Sequence, residues 1–292
     1  MFEAKSGLLS KEELEEQVRR DCENRFPSVL RTFSDHYGLR RGELHMMIAP
    51  SGGGKSSFSR SLIFELLKCA RVFLYLSEEP RESYVKDVNL AYIEAVKDSQ
   101  KKDHTVFLNR LKVMSELDMK KEDQHIFFEI LKDEFLDHKS EVLIFDNITT
   151  SFLATLGITE EARTIMFFKK LANELDIPIV IFIHTQKGTS IAKGAFSAEN
   201  IRGNATTALM GSYIYVLTLI KLEKKARFFV DVNKARYHMK SNGSIYELIF
   251  DESIKLFTRD LKSTRRELAE AIYEYNEEAS GKSKKKAISW RG

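Results

Sequence analysis

The chain has 292 residues, 43% apolar and 30% charged, which is ordinary globular composition. Its 46 Lys and Arg against 43 Asp and Glu leave a formal charge of only +3, so a bulk polyanion-binding coat is not indicated and any nucleic-acid site has to be a local patch. Cys22 and Cys69 stand in no paired spacing with Cys or His, no run approaches the ~20 apolar residues of a membrane span, and the first residues form no secretory-type apolar segment; a disulfide framework, a zinc site and a membrane partner are not expected, and a cytoplasmic setting is.

Residues 9–24 read as a charged amphipathic helix, with Ser10 as N-cap and Glu13 three residues on as a capping box. Such a helix lies solvated at the edge of the core or docks on a neighbouring subunit. From residue 44 onward apolar runs alternate with helical ones. A strand over 44–48 leads through a glycine-rich loop to a helix over 55–70. A strand over 72–76 precedes a charged helical stretch over 84–110. A short strand over 111–114, a helix over 122–136 and a strand over 142–145 come next. Ala162, Ile165, Phe168, Ala172 and Leu175 share one face of a helix over 159–176, and 177–183 is a strand. Short strands buried on both faces and alternating with helices predict a mostly parallel sheet with helical crossovers.

After residue 212 the pattern changes. Strands are expected over 213–220, 227–232, 244–250 and 254–258, with Asn242 and Gly243 as a tight hairpin turn. The fold class is therefore α/β, a mostly parallel twisted sheet flanked by helices and ending in antiparallel strands. A last helix over 263–278 and a basic tail at 281–286 follow.

The strongest signal is the segment APSGGGKSS at 49–57, which fits G-x-x-x-x-G-K-[ST] except that Ala49 replaces the first glycine. It lies between an apolar strand and a helix, the context the motif requires. Ser51, Gly52, Gly53, Gly54, Lys55, Ser56 and Ser57 are expected to surround a nucleotide's phosphates. Glycines let backbone N–H groups turn inward, and the helix points its positive end at the same anion. Lys55 would reach the β- and γ-phosphates, and the Ser56 hydroxyl would bind Mg²⁺. Ala49 matters little, because that position closes the strand. Asp146, ending the apolar run at 142–145, would be the second metal partner at the sheet edge where open α/β sheets bind ligands. Glu78 is preferred over Glu79 as the carboxylate that activates water, since both follow the strand at 72–76.

These segments, with GLRRGELHMMIAPSGGGKSS at 38–57, LYLSEEP at 74–80, VLIFDN at 142–147 and IVIFIHTQKG at 179–188, resemble the RecA-like core of hexameric replicative helicases, the plasmid RepA type more closely than DnaB. The resemblance covers roughly 27–258 and implies a RecA-like P-loop ATPase domain at 27–260, between a helical extension at 1–26 and a helix with basic tail at 261–292. It implies ATP and Mg²⁺ as ligands, Glu78 as the water-activating carboxylate and His184 as the γ-phosphate sensor. It also implies basic residues donated across a subunit interface: Lys234 and Arg236 in VNKARYH, with Arg202 in NIRGNATTA as a further candidate. Two loops, one after Asp146 and one at 187–204 with Lys187 and Lys193, are expected to face single-stranded DNA. The implied assembly is a homo-oligomer, a hexameric ring, with other replication proteins as further partners in a phage or plasmid replicon. The leading function is an ATP-driven helicase or translocase on single-stranded DNA. A filament-forming recombinase or mediator, and a non-motor regulatory or loader ATPase, remain open.

Overall fold

The centre of the molecule is set by strands so apolar that both their faces must be covered. In this computed structural model the described residues are 25–26, 30–34, 38–95, 108–156, 158–184, 210–223 and 225–280. Strands β1 (Arg25–Phe26) and β2 (Leu39–Arg40) form a small antiparallel pair around helix α1 (Arg31–Ser34). The chain continues through β3 (Leu44–Ala49), α2 (Lys55–Leu66), β4 (Val72–Leu76), α3 (Arg81–Ala95) and β5 (Leu111–Ser115). It then runs through α4 (Phe127–Asp137), β6 (Val142–Asp146), α5 (Ile158–Leu175) and β7 (Ile179–His184). Strands β8 (Tyr213–Lys221), β9 (Ala226–Ala235), β10 (Ile245–Asp251) and β11 (Leu256–Ser263) precede α6 (Arg265–Ala279). The nine larger strands make one sheet in the order β11-β10-β9-β8-β3-β7-β6-β4-β5.

The parallel part ends flush. Ala49 pairs with His184, and Leu76 pairs with Asp146, so the C-terminal ends of β3, β7, β4 and β6 form one rim. Strand β8 is parallel to β3, and β9, β10 and β11 follow in antiparallel succession, which is the mixed sheet expected. One face packs Phe58, Leu62, Tyr84 and Val88 of α2 and α3 over Met47, Leu74 and Ile144. The other packs Phe127, Leu131 and Phe135 of α4 and Ile165, Phe168 and Ala172 of α5 over Met46, Phe145 and Ile181. Helix α6 covers the far strands through Leu268, Ala271 and Ile272, and its start carries a capping box between Thr264 and Glu267.

Several boundaries differ from the sequence reading, each for a local reason. Helix α3 covers Arg81–Ala95, so it begins before the expected start at 84, and residues 96–107 are outside the described ones. The helix expected from 122 becomes α-helical at Phe127; the polar run Lys121–Ile126 is a 3-10 turn, because the i, i+4, i+8 apolar row begins only with Phe127, Leu131 and Phe135. The strand expected at 254–258 is β11 at Leu256–Ser263. Lys255 at φ 59° closes a turn, and the ladder to β10 runs on to Ser263 despite its charged residues. Its Asp260 is buried and accepts from the Thr32 N–H at 2.6 Å and hydroxyl at 2.5 Å. Asn242 and Gly243 do not make a two-residue hairpin. They lie in the longer link between β9 and β10, where the Asn242 amide oxygen accepts from Ala235 N–H at 2.6 Å and Gly243 adopts φ 75°. The helix expected at 9–24 and the tail at 281–286 lie outside the described residues.

Candidate functional site

Strand β3 hands the chain to α2 through a loop whose shape depends on the lack of side chains. Gly52 and Gly54 have φ of 70° and 85°. A Cβ on Gly53 would lie 2.8 Å from both the ring and the carbonyl oxygen of Pro50, and one on Gly54 would lie 3.0 Å from the Phe228 ring. Ala49, where the motif has its first glycine, is the last residue of β3 and fully buried, so its methyl belongs to the core. Gly54 is the N-cap of α2, whose first-turn N–H groups and dipole face the loop's hollow. Ser51, Gly52 and Ser56 are exposed, and Ser57 is half-buried.

Lys55 and Asp146, 91 residues apart in sequence, meet at the rim. The Lys55 ammonium donates to Asp146 Oδ1 at 2.9 Å, with side-chain exposures of only 6% and 7%. So little water reaches this pair that each charge depends on the other.

Glu78, two residues beyond β4, stands 3.7 Å from His184 Nε2 through its Oε1. Burial pushes the Glu78 carboxyl up, but the Lys55 charge, hydrogen bonds from Thr150 and Asn147, and His184 outweigh it and hold it below the ordinary glutamate value. The His184 imidazole is pushed down, first by burial and then by Lys55, against the opposing pull of Glu78 and Asp146. It is therefore neutral at pH 7. Glu79 is already engaged. Its Oε1 accepts from Arg60 Nη2 at 2.5 Å, and the same guanidinium meets Asp87 at 3.2 Å. Glu78 is thus the carboxylate presented to the rim.

A polar scaffold that sequence reasoning missed ties the three strand ends together. The fully buried Asn147 accepts through Oδ1 from Thr149 Oγ1 (2.7 Å), Thr150 N–H (3.0 Å) and Thr150 Oγ1 (2.9 Å). Its own N–H donates to Ser77 Oγ at 3.0 Å, and its amide nitrogen lies 3.4 Å from His184 Nε2. The backbone N–H of His184 donates to Thr149 Oγ1 at 3.1 Å. The segment after Asp146, expected as a loop facing DNA, is thus scaffold in its first half. Ile148, Ser151 and Leu153 are buried, and the Phe152 N–H donates to Glu116 at 2.8 Å. An Asn followed by two threonines is an Asx-type signal that could have flagged this.

Beside α2 lies a cavity of about 490 Å³, lined by Ser57, Arg60, Leu90, Ala91, Phe250 and Ile254 among others. It adjoins the phosphate loop through Ser57.

No family model matches the chain, and no curated protein matches it in sequence. Among solved structures, the ATPase domain of a phage DnaB-like replicative helicase superposes with a TM-score of 0.64 over 86% of this chain and 98% of that chain, at 14% identity. The fold is RecA-like. At that identity the likeness concerns architecture, and the side chains have to be read from this chain alone.

Within the RecA-like core Lys234 and Arg236 stand away from the loop. Ile214 pairs with both Met46 and Lys234, and the Arg236 N–H donates to Ser212 O at 3.0 Å, so both cations lie towards the N-terminal end of β3. The loop follows Ala49, three residues beyond Met46, so the cations are roughly 10 Å or more back along the strands and two strands to the side. They share a site with neither Lys55 nor Asp146 of their own chain. Arg202 and the loop at 187–204 lie outside the described residues. Among the described residues, no helix is long and apolar enough to cross a membrane.

Proposed function

We propose that the chain hydrolyses ATP and couples hydrolysis to movement along single-stranded DNA, as a subunit of a hexameric ring helicase or translocase in replication. The observation that carries this reading is the gathering of a glycine-built cradle, the Lys55–Asp146 pair and Glu78 on one rim, with a cationic pair on the other. The solved structure with the same architecture is an ATPase domain, which agrees with it.

The residues fit a magnesium-bound nucleoside triphosphate. Loop amides and the α2 N-terminus receive the phosphate oxygens, and Lys55 turns from Asp146 to the β- and γ-phosphates. Ser56 and Asp146 would hold Mg²⁺, which needs only one or two protein oxygens and neutralises charge on the β- and γ-phosphates. The cavity beside Ser57 has room for the nucleoside. A water in line with the γ-phosphorus forms the new P–O bond while the bond to the β,γ-bridging oxygen breaks. The water's proton passes to Glu78, and ADP departs with the freed charge. His184, neutral and beside Glu78, hydrogen-bonds the γ-phosphate and reports its loss through Asn147 and Thr149.

The opposite-rim placement of Lys234 and Arg236 suits head-to-tail assembly, in which each copy offers them to its neighbour's phosphates. The test is ATP turnover with and without single-stranded DNA across a range of protein concentrations. Turnover per chain should rise with concentration and again with DNA. Turnover independent of both would sink the motor reading. Helical filaments in electron micrographs would select the recombinase alternative, and assembly without DNA stimulation would select the loader.

A further inference from the structure

The cations on the far rim are accompanied by a third from another element. Ile214 lies in the same apolar cluster as Phe168 of α5, and Lys234 is its direct partner across the β8–β9 ladder. Directly paired residues project from the same face of a sheet, so Lys234 rises on the face that α5 covers. Arg236, two residues on, returns to that face. Helix α5 turns one flank to α4: Phe167 packs on Phe128 with centroids 4.2 Å apart, and Glu174 accepts from Lys132 at 2.7 Å. Phe168 points into the sheet at 0% exposure. Lys169 follows one residue later, about 200° around the helix from Phe167. It therefore lies on the flank away from α4, towards β8 and β9. We propose that Lys169 is the third cation of an anion site with Lys234 and Arg236, and that this site receives the terminal phosphates of a nucleotide bound by a second copy of this chain.

The electrostatics agree with the placement. The Lys234 ammonium is pushed down by burial, then by Arg236, then by Lys169, so the three charges lie within reach of one another. Gathering three cations at a half-buried spot is unfavourable unless a multivalent anion neutralises them. Arg236 is also steadied by a hydrogen bond with the Tyr237 hydroxyl, whose ring lies 4.0 Å from the Arg40 guanidinium. A compact triangle suits the end of a triphosphate better than a polynucleotide backbone, whose charges follow one another along a track. Because the chain's own loop is on the other rim, the anion has to come from a neighbour. This inference rests on the ATPase reading above.

The experiment uses the full chain and the variants Lys169→Glu, Lys169→Met, Lys169→Arg, Lys170→Glu, Arg236→Ala and Glu78→Gln. Lys170 is the exposed neighbour on the same helix. At concentrations where the protein is assembled, Lys169→Glu and Lys169→Met should each lower ATP turnover roughly tenfold, while Lys169→Arg retains most of it. Lys170→Glu should match the unmodified chain. Subunit mixing gives the decisive reading. An equimolar mixture of Lys169→Glu with Glu78→Gln creates junctions in which an intact Glu78 meets an intact Lys169, and about one junction in four should recover. Recovery with Arg236→Ala plus Glu78→Gln, but none with Lys169→Glu plus Glu78→Gln, overturns the role of Lys169. Recovery in neither mixture overturns cross-subunit donation altogether. If the Lys169 variants keep full turnover and instead lose binding to a single-stranded oligonucleotide, the cluster serves the polynucleotide and the proposal is wrong.

Discussion

Replacing Lys55 by Met removes the cation that Asp146 touches at 2.9 Å, in a place where the two side chains are 6% and 7% exposed. At an effective dielectric of about 20 the attraction at that distance is roughly 6 kcal/mol, most of it offset by the loss of water from both charges. Breaking one side of such a pair leaves the desolvation cost without the attraction, and the expected loss of folding stability is about 3–5 kcal/mol. With an unfolding entropy of about 2.1 cal/mol/K per residue, a chain of this length should melt about 5–8 °C lower. Replacing both residues, as Lys55→Met with Asp146→Leu, removes the stranded charge and should restore most of that loss, giving a coupling of about 2 kcal/mol or more. Urea unfolding of the four proteins in the cycle, without nucleotide, reads this directly. If the double variant is as unstable as the sum of the singles, or if Lys55→Met alone changes stability by under about 0.5 kcal/mol, the pair is not mutually dependent and the reasoning fails.

Two further predictions concern chemistry and loop shape. Glu78 is held below its ordinary value and is needed ionised, so activity should persist on acidification to about pH 5 and fall only as pH drops through the lowered value; His184 is held neutral, so no break should appear between about pH 8 and 6.5. A pH–rate profile with an ionisation near 6.5 that vanishes in His184→Gln would contradict this, and Glu78→Gln should cost about 10²–10⁴-fold in kcat while nucleotide binding is kept. Among the loop glycines, Gly53→Ala should weaken nucleotide binding more than Gly52→Ala, because the new methyl meets Pro50 at 2.8 Å in the first case and nothing within 4 Å in the second. Titration with a fluorescent ATP analogue checks the ranking, which equal affinities would contradict.

The phosphate loop is readable from sequence because its rules are local: glycines where φ is positive or space is absent, then Lys55 and Ser56 at a helix start. Asp146 is readable because four buried apolar residues fix the strand that ends at it. The polar scaffold is not. Thr149 and Thr150 look like loop residues until Asn147 is seen accepting from both and Ser77 is seen arriving from another strand. Nor is β11, whose charges at Arg259, Asp260 and Lys262 disguise a paired strand; what makes Asp260 tolerable there is Thr32, 228 residues earlier. Lys169 escapes notice because periodicity marks the buried face of α5 and says nothing of what its flank meets.

Strand β9 begins near Phe228, the ring that limits Gly54, and ends at the cations of the far rim. Hydrogen-bonded on both sides, it scarcely shortens under load, and the stretch from Phe228 to Lys234 spans roughly 20 Å. If those cations serve the next copy, β9 works as a push-rod: a swelling or slackening of one nucleotide pocket is handed on to the following one. Firing order around a ring would then be written into the stiffness of a single strand.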